Sequence, residues 1–568
     1  MSVVIGIHDG HNASAALVRD GKVELALQEE RFTRVKNQGD APASAVALAR
    51  KLAGAGGARV ALNGHYMNYG QWQRDRILQE YERCSSLGSR LKQPLKGTAA
   101  DRWYQARKAE AREETLAGLG FEREQMQPVE HHLAHASAAY YTSPWQEGRA
   151  LVLTCDGSGD RLSATVSIGD AGRLTRIAEI PERDSIGRLY ALVTRALGMA
   201  PLEHEYKVMG LAAYAPGGPG VARATSMFMD LFETTARNPL AWQRRSGVPP
   251  MYAAYDLVSR LVAGQRFDWV AAGVQRFIEQ MLVQWVRAAV RETGITRLAC
   301  AGGVFMNVKA NLAVLEMPEV ESIYVVPSCG DESNSIGAAC CVAAQAGDRM
   351  QPLGSIYYGD PITDAEAGAA IEEGGRKGRL RARFVPDIEK LTASTLAEGG
   401  IVARASGAVE FGARALGNRS ILARADSPHA VRIINRMVKN RDFWMQFAPS
   451  VLAERSADYY AKPKPVFSPY MMFAFPSRPE KRAAFAAAQH PYDFTARPQE
   501  VTPEHNVSYH RLLKEYEALT GEGILLNTSF NLHGEPIVYR ARDAVDVFLR
   551  SGLQTMALGN WWVEKNGT

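Results

Sequence analysis

The chain has 568 residues, too many for one ordinary domain, and 46% of them are hydrophobic, enough for two to four packed cores. A net charge of only +5 argues against a dedicated surface for nucleic acid or anionic membrane, and no run of about 18 apolar residues marks a membrane span. The six cysteines show no C-x-x-C spacing, which argues against a thiolate zinc site or a disulfide framework and fits a reducing cytoplasm.

The sequence opens straight into Val3–Ile7, a strand, without a basic leader. A polar turn follows, His8-Asp9-Gly10-His11-Asn12, then strands at Ser14–Val18 and Val23–Leu27 joined by the Asp20-Gly21 turn. A glycine turn between strands can bring backbone N–H groups to a phosphate, or it is an ordinary hairpin. His11 stands in a polar turn, where an imidazole is expected to be exposed and to titrate near neutral pH, which suits a general base. Residues 65–115 are charged and helix-like and read as an insertion.

In Val129-Glu130-His131-His132-Leu133-Ala134-His135-Ala136, His131 and His135 are four apart in a helix-favouring context. Both imidazoles then share one face, a common beginning of a transition-metal site, though accidental pairs also occur. The other ligands are expected to be acidic. Asp156 and Asp331 each follow an apolar run that reads as a strand. Residues 150–170 repeat the strand–turn–strand theme, with Asp156-Gly157-Ser158-Gly159 in the turn. Two such meanders are expected of the actin/hexokinase/heat-shock ATPase superfold. Residues 186–214 read as an amphipathic helix leading into the segment of Lys207, which is either a phosphate lysine or a solvated helix end. Residues 220–262, with Trp242, Arg244, Arg245, Tyr252 and Tyr255, read as a second insertion that either shapes an acceptor pocket or serves packing. The Gly302-Gly303 turn, with Asn307 after it, joins a strand to a helix. Asp331 lies in the loop Pro327–Asn334, where a carboxylate can reach a ligand at a strand's C-terminal edge.

Composition shifts over residues 345–385, where a second domain begins; the boundary is expected at 352/353. Its arginines sit among small residues: Arg414 and Arg419 in Gly412–Ser420, Arg441 beside Lys439, and Arg497 in Thr495-Ala496-Arg497-Pro498-Gln499. Asn527, Thr528 and Ser529 follow a strand. Guanidinium forks, an ammonium and hydroxyls suit a phosphorylated anion; separate surface ion pairs are the alternative.

Taken together, nine motifs in order resemble the NodU/CmcH-type O-carbamoyltransferases. They are His8–Ala15, Glu29–Arg34, His131–Ala136, Lys207–Ala212, Gly302-Gly303, Arg414–Ser420, Phe447–Val451, Thr495–Gln499 and Leu526–Asn531. The resemblance implies an α/β protein with an N-terminal actin/hexokinase-like (ASKHA) domain over 1–352 and a C-terminal YrdC-like domain over 353–568. It implies that the second domain uses carbamoyl phosphate and ATP, with Mg2+, to make carbamoyl-AMP, and that the first passes the carbamoyl group to a hydroxylated small-molecule acceptor. Carried over, His131, His135, Asp156 and Asp331 hold Fe(II) or Zn(II), and His11 is the base. Asp9, Gly157, Ser158, Gly159, Lys207, Gly302, Gly303 and Asn307 face the nucleotide. Arg414, Arg419, Lys439, Arg441, Arg497, Asn527, Thr528 and Ser529 hold carbamoyl phosphate and ATP. Two departures stand out: Met445 replaces an expected cation, so that either Arg441 or Arg419 substitutes or carbamoyl phosphate binding is weaker, and Phe494 stands where glycine is common.

A tRNA threonylcarbamoyl transferase shares these folds, but the chain has no basic stripe for RNA. A metalloprotease needs a glutamate between the histidines, and here His132, Leu133 and Ala134 intervene. A non-catalytic module would bind ATP without turnover.

Overall fold

The computed structural model describes residues 2–566 apart from 55–56, 65–98, 236–237, 376–377, 440–441 and 443. It divides into two compact units. The first comprises residues 1–29 and 37–353, the second residues 30–36 and 354–568. The short excursion Glu30–Lys36 belongs to the second unit. There Arg31 is buried and donates to the carbonyl of Gly412, Phe32 meets Tyr539 edge-on, and Arg34 donates to the carbonyls of Pro536 and Ile537.

The first unit is built twice over from one plan. Strands β1 (Val3–His8), β2 (Ser14–Arg19) and β3 (Lys22–Gln28) form an antiparallel meander. Strands β4 (Arg59–Asn63) and β5 (Met126–Val129) then add parallel to β1, giving the order β3-β2-β1-β4-β5. The second sheet repeats this with β6 (Ala150–Gly159), β7 (Leu162–Asp170), β8 (Arg173–Pro181), β9 (Arg297–Ala301) and β10 (Ser322–Val325), in the order β8-β7-β6-β9-β10. This duplicated topology is that of the actin/hexokinase superfold, and it agrees with the two meanders expected from the sequence.

The helices follow from the pattern. α1 (Ala43–Ala53) buries Ala45, Val46, Leu48 and Ala49, and its first N–H groups are received by Glu29. α2 (Ala99–Ala117) follows the undescribed part of the first insertion. α3 (His131–Tyr141) and α5 (Asn334–Gln345) close the two halves and pack on each other through alanines and one glycine. A Cβ at Gly337 would lie 1.9 Å from the Ala134 carbonyl oxygen, and one at Gly6 would lie 1.9 Å from that of Ser335. These contacts are what let α5 reach both α3 and β1. Between them in the sequence lies α4 (Phe267–Thr293), closed by Gly294 in the left-handed conformation.

Two expectations are adjusted. The span 186–214 is two helices, Ile186–Ala196 and Glu205–Ala212, separated by a turn. The second insertion is a helix, a hairpin and a helix. Its Trp242 is buried and donates to the Asp184 carbonyl, and Arg244 pairs with the Asp184 carboxylate, so both serve packing.

The second unit is an eight-stranded mixed sheet. Its spatial order is Leu380–Phe384, Trp561–Lys565, Thr555–Leu558, Val402–Ala405, Arg419–Arg424, Ile524–Ser529, Ala448–Leu452 and Gln499–Val501. Helices Ile388–Ala397 and Val507–Thr520 bury Leu396, Leu512 and Leu513 against Val402, Leu422, Leu452 and Leu525. Among the described residues no helix is long and apolar enough to cross a membrane.

Candidate metal centre and anion site

α3 starts at its first histidine because Glu130 caps it. The Glu130 carboxylate accepts from the N–H groups of His132 (3.0 Å) and Leu133 (2.8 Å), and Asp160 accepts from His131 N–H at 2.9 Å. Arg176 pairs with Glu130 and holds the cap in place. The imidazoles four apart then point together. His131 Nε2 lies 3.3 Å from Asp156 Oδ2 and 3.5 Å from Asp331 Oδ1, and His135 Nε2 lies 3.7 Å and 3.4 Å from the same two oxygens. Asp156 is on β6 and Asp331 follows β10, so the second half supplies the acids and the last helix of the first half supplies the imidazoles.

The set fits a metal ion. The four ligand atoms lie within 4.8 Å of one another. The four nitrogen–oxygen separations, 3.3–3.7 Å, are close to the spacing of neighbouring ligand atoms around one ion with metal–ligand bonds of about 2.0–2.2 Å. Asp331 Oδ1 is buried and receives no hydrogen bond, the state of an oxygen shaped to meet a cation. Burial works against charge on His131, but Asp331 and Asp156 outweigh it and push His131 up to about 9. His135 is raised for the same reasons. Asp156, which burial alone would raise, is drawn well below the usual carboxylate range by the two histidines. His132 points elsewhere, to Thr154 Oγ1 at 2.8 Å, and burial keeps it neutral.

The glycines expected to face a nucleotide help to build this centre. Gly303 N–H donates to Asp156 Oδ1 at 3.1 Å. Gly302 stands at φ +102 with no room for a Cβ against the Cys155 carbonyl, and Gly159 lies flat on the His131 ring, where a Cβ would sit 2.1 Å away. The Gly157 carbonyl accepts from Ser185 Oγ at 2.7 Å, and Ser158 stands beside it, partly exposed. Asn307 is spent: its amide caps the following helix at Ala310 N–H and pairs with Gln275. Lys207 lies half-buried on Glu205–Ala212.

The His8–Asn12 loop leads into Ser14, whose Oγ donates to the carbonyl of Glu332, next to Asp331, at 2.8 Å. His11 is 8% exposed. The Asp9 carboxylate is wholly buried and gripped by Arg112.

In the second unit the arginines divide. Arg419 is fully buried and donates to the carbonyls of Tyr539, Ser406, Asn418 and Gly407, so it holds backbone and cannot serve a phosphate or replace the cation missing at Met445. Asn527 is likewise structural, donating to Ala415 O (3.0 Å) and Ser450 Oγ (2.9 Å). Thr528 is nearly buried opposite Ile421, and Met445 is buried too. Gln499 completes the stitching, donating to Leu416 O at 2.7 Å and accepting from Ser450. This network ties the Arg414 turn to the strand that ends at Ser529 and to the strand just after Arg497. Arg414, Arg497 and Ser529 remain partly exposed. Arg441 and the side chain of Lys439 lie outside the described residues. Phe494 stands at φ +54, which explains why glycine suits that position, and the Arg482 guanidinium stacks 4.0 Å over its ring.

Comparison with known proteins is decisive on the family. A family model described as the carbamoyltransferase N-terminus matches residues 3–340, and one described as the carbamoyltransferase C-terminus matches residues 393–565. The chain belongs to the carbamoyltransferase family. Nodulation protein NolNO of Sinorhizobium fredii is 30% identical over 98% of this chain and 79% of its own length. Nodulation protein NolO of Bradyrhizobium diazoefficiens is 32% identical over 77% of this chain and 79% of its own. Among solved structures, full-length HypF in its phosphate- and nucleotide-bound form overlaps 61% of this chain and 55% of its own, at 12% identity and a TM-score of 0.33.

The carbamoyltransferase contains site residues that sequence reasoning missed. Glu130 was legible as a helix cap beside the histidines. Asn334, whose amide nitrogen lies 3.1 Å from His135 Nε2, and Asp160 carried no separate signal. Arg112 lay hidden in the charged stretch set aside as an insertion.

Proposed function

We propose that this carbamoyltransferase is ATP-dependent and works through carbamoyl-AMP. In the second unit, of YrdC-like type, carbamoyl phosphate and water give carbamate and phosphate. Carbamate oxygen then attacks the α-phosphorus of ATP, and pyrophosphate leaves. Arg414, Arg497 and Ser529 are suited to bind the phosphate oxygens, the guanidinium forks matching them in pairs. In the first unit the acceptor hydroxyl attacks the carbamoyl carbon, its proton passes to His11, and AMP leaves. A positioned base is worth about 10²–10⁴-fold here, since a free alcohol is a poor nucleophile at neutral pH.

The observation that carries this reading is the convergence of His131, His135, Asp156 and Asp331 in a protein of this family. Those four residues would hold Fe(II) or Zn(II); the donor set suits either. When bound, the ion supplies Lewis-acid polarisation beside the transfer. The chain's own residues do the rest: Gly303 and Glu130 orient the ligands, and His11 takes the proton. The acceptor is read as a hydroxylated small molecule, since a net charge of only +5 argues against a surface for a polyanion.

The test is a screen of polyols and aminoglycosides with ATP and carbamoyl phosphate, read by mass spectrometry for gain of one carbamoyl group. Product from wild type and none from His11→Asn is expected. Equal product from His11→Asn would remove the base role.

A further inference from the structure

The loop that carries His11 has no apolar core of its own. His8 and Asp9 are both fully buried, and His11 nearly so. Two polar clamps fix it instead. His8 Nε2 meets the His11 carbonyl at 2.9 Å, and its Nδ1 meets Asn63 Nδ2 at 2.8 Å. The second clamp is Arg112 of α2. Its Nε and Nη2 donate to the two carboxylate oxygens of Asp9, each at 2.8 Å. Its Nη2 also donates to Asn63 O at 2.7 Å, and its Nη1 to Gly64 O at 2.6 Å. One guanidinium thus ties the end of β1, the end of β4 and α2 together.

A buried pair of this kind adds little net stability, because desolvating both charges offsets their attraction. What a guanidinium fork adds is geometry: two parallel bonds fix a carboxylate in place and angle. Arg112 is 3% exposed although residues 110, 111, 114 and 115 around it face solvent. It and Leu116, four residues on, are the two fully buried positions on this stretch of helix.

We infer that Arg112 is a positioning residue for His11, holding the base-bearing loop through Asp9. This rests on the reading of His11 as the base. Misplacing a reacting group by about 1 Å can cost about 10²-fold in rate, so the fork is tied to transfer and not to the chemistry of the second unit.

The test uses the full chain and a readout independent of transfer: acylation of His11 by diethyl pyrocarbonate, followed by peptide mass spectrometry, with hydrogen exchange of residues 8–13. The variants are Arg112→Lys, Arg112→Gln and the double variant Asp9→Asn/Arg112→Gln. Arg112→Lys keeps the charge and loses the fork, so it decides the matter if the others do not fold. In every folded variant His11 is expected to acylate about tenfold faster, with exchange raised over residues 8–13, while exposed His429 is unchanged. Wild-type labelling in Arg112→Lys or in the double variant would make Arg112 a countercharge only and overturn the inference, as would exchange raised evenly over the chain. If labelling changes as expected but His11→Asn still transfers, the base reading falls and the positioning role stands.

Discussion

The backbone N–H of Gly303 donates to Oδ1 of Asp156 at 3.1 Å, which leaves Oδ2 turned toward His131 and His135. A Cβ at 303 would sit 2.8 Å from that Oδ1. The Gly302-Gly303 turn therefore sets the angle of a carboxylate in the candidate metal centre.

Gly303→Ala is accordingly expected to weaken metal binding about 10–100-fold, the usual cost of disturbing a group that orients a ligand. Metal content after dialysis and titration with Zn(II) would measure it. Unchanged affinity would show that Asp156 does not depend on this turn.

Metal uptake is expected to release protons. In the metal-free centre His131 stays charged up to about 9, and a metal takes only the neutral imidazole. Apparent affinity therefore rises with pH until about 9, by about tenfold per pH unit for each proton displaced. Calorimetry in buffers of different ionisation enthalpy counts the protons, and a count of zero at pH 7 would contradict the assignment.

Arg419 and Arg414 are close in sequence and opposite in expected effect. Arg419→Met strands the carbonyls of Tyr539, Ser406, Asn418 and Gly407 in the interior. A cost of about 3 kcal/mol or more is expected, read as a lower melting temperature. Arg414→Ala is expected to melt near wild type and to lose carbamoyl-phosphate-dependent use of ATP.

Glu205 supplies a pH test of stability. Burial pushes it up to about 7, against the bond it accepts from Leu202 N–H at 2.7 Å. Folding thus favours the neutral acid. Stability from this group is full below the ordinary glutamate range and is lost as pH rises through about 7. Glu205→Gln keeps an acceptor for Leu202 and is expected to melt higher than wild type at pH 8, with the gap closing at pH 5. An equal gap at both values would contradict the shift.

Much of the first unit was legible because its cues are local. Alternation and the Asp20-Gly21 turn gave the β1–β3 meander, and spacing four apart put His131 and His135 on one face. What each glycine serves was not legible. Gly159, Gly302 and Gly303 read as turns that face a nucleotide, and only tertiary contact shows them against His131, Cys155 and Asp156. Arg419 looked like a ligand cation because it follows Gly417-Asn418, yet strand pairing buries it among carbonyls. Asp9 gave no sign of its partner, Arg112, which lies 103 residues away. Such pairings have no sequence signature, since any arginine on a charged helix could have been the one turned inward.

The most direct test of the account is phosphorus NMR of the purified protein with ATP and carbamoyl phosphate and no acceptor. Pyrophosphate and phosphate, with AMP or a carbamoyl-AMP signal, are expected only when both substrates are present. Formation of ADP, or no turnover with metal supplied, would contradict a carbamoyl-adenylate route.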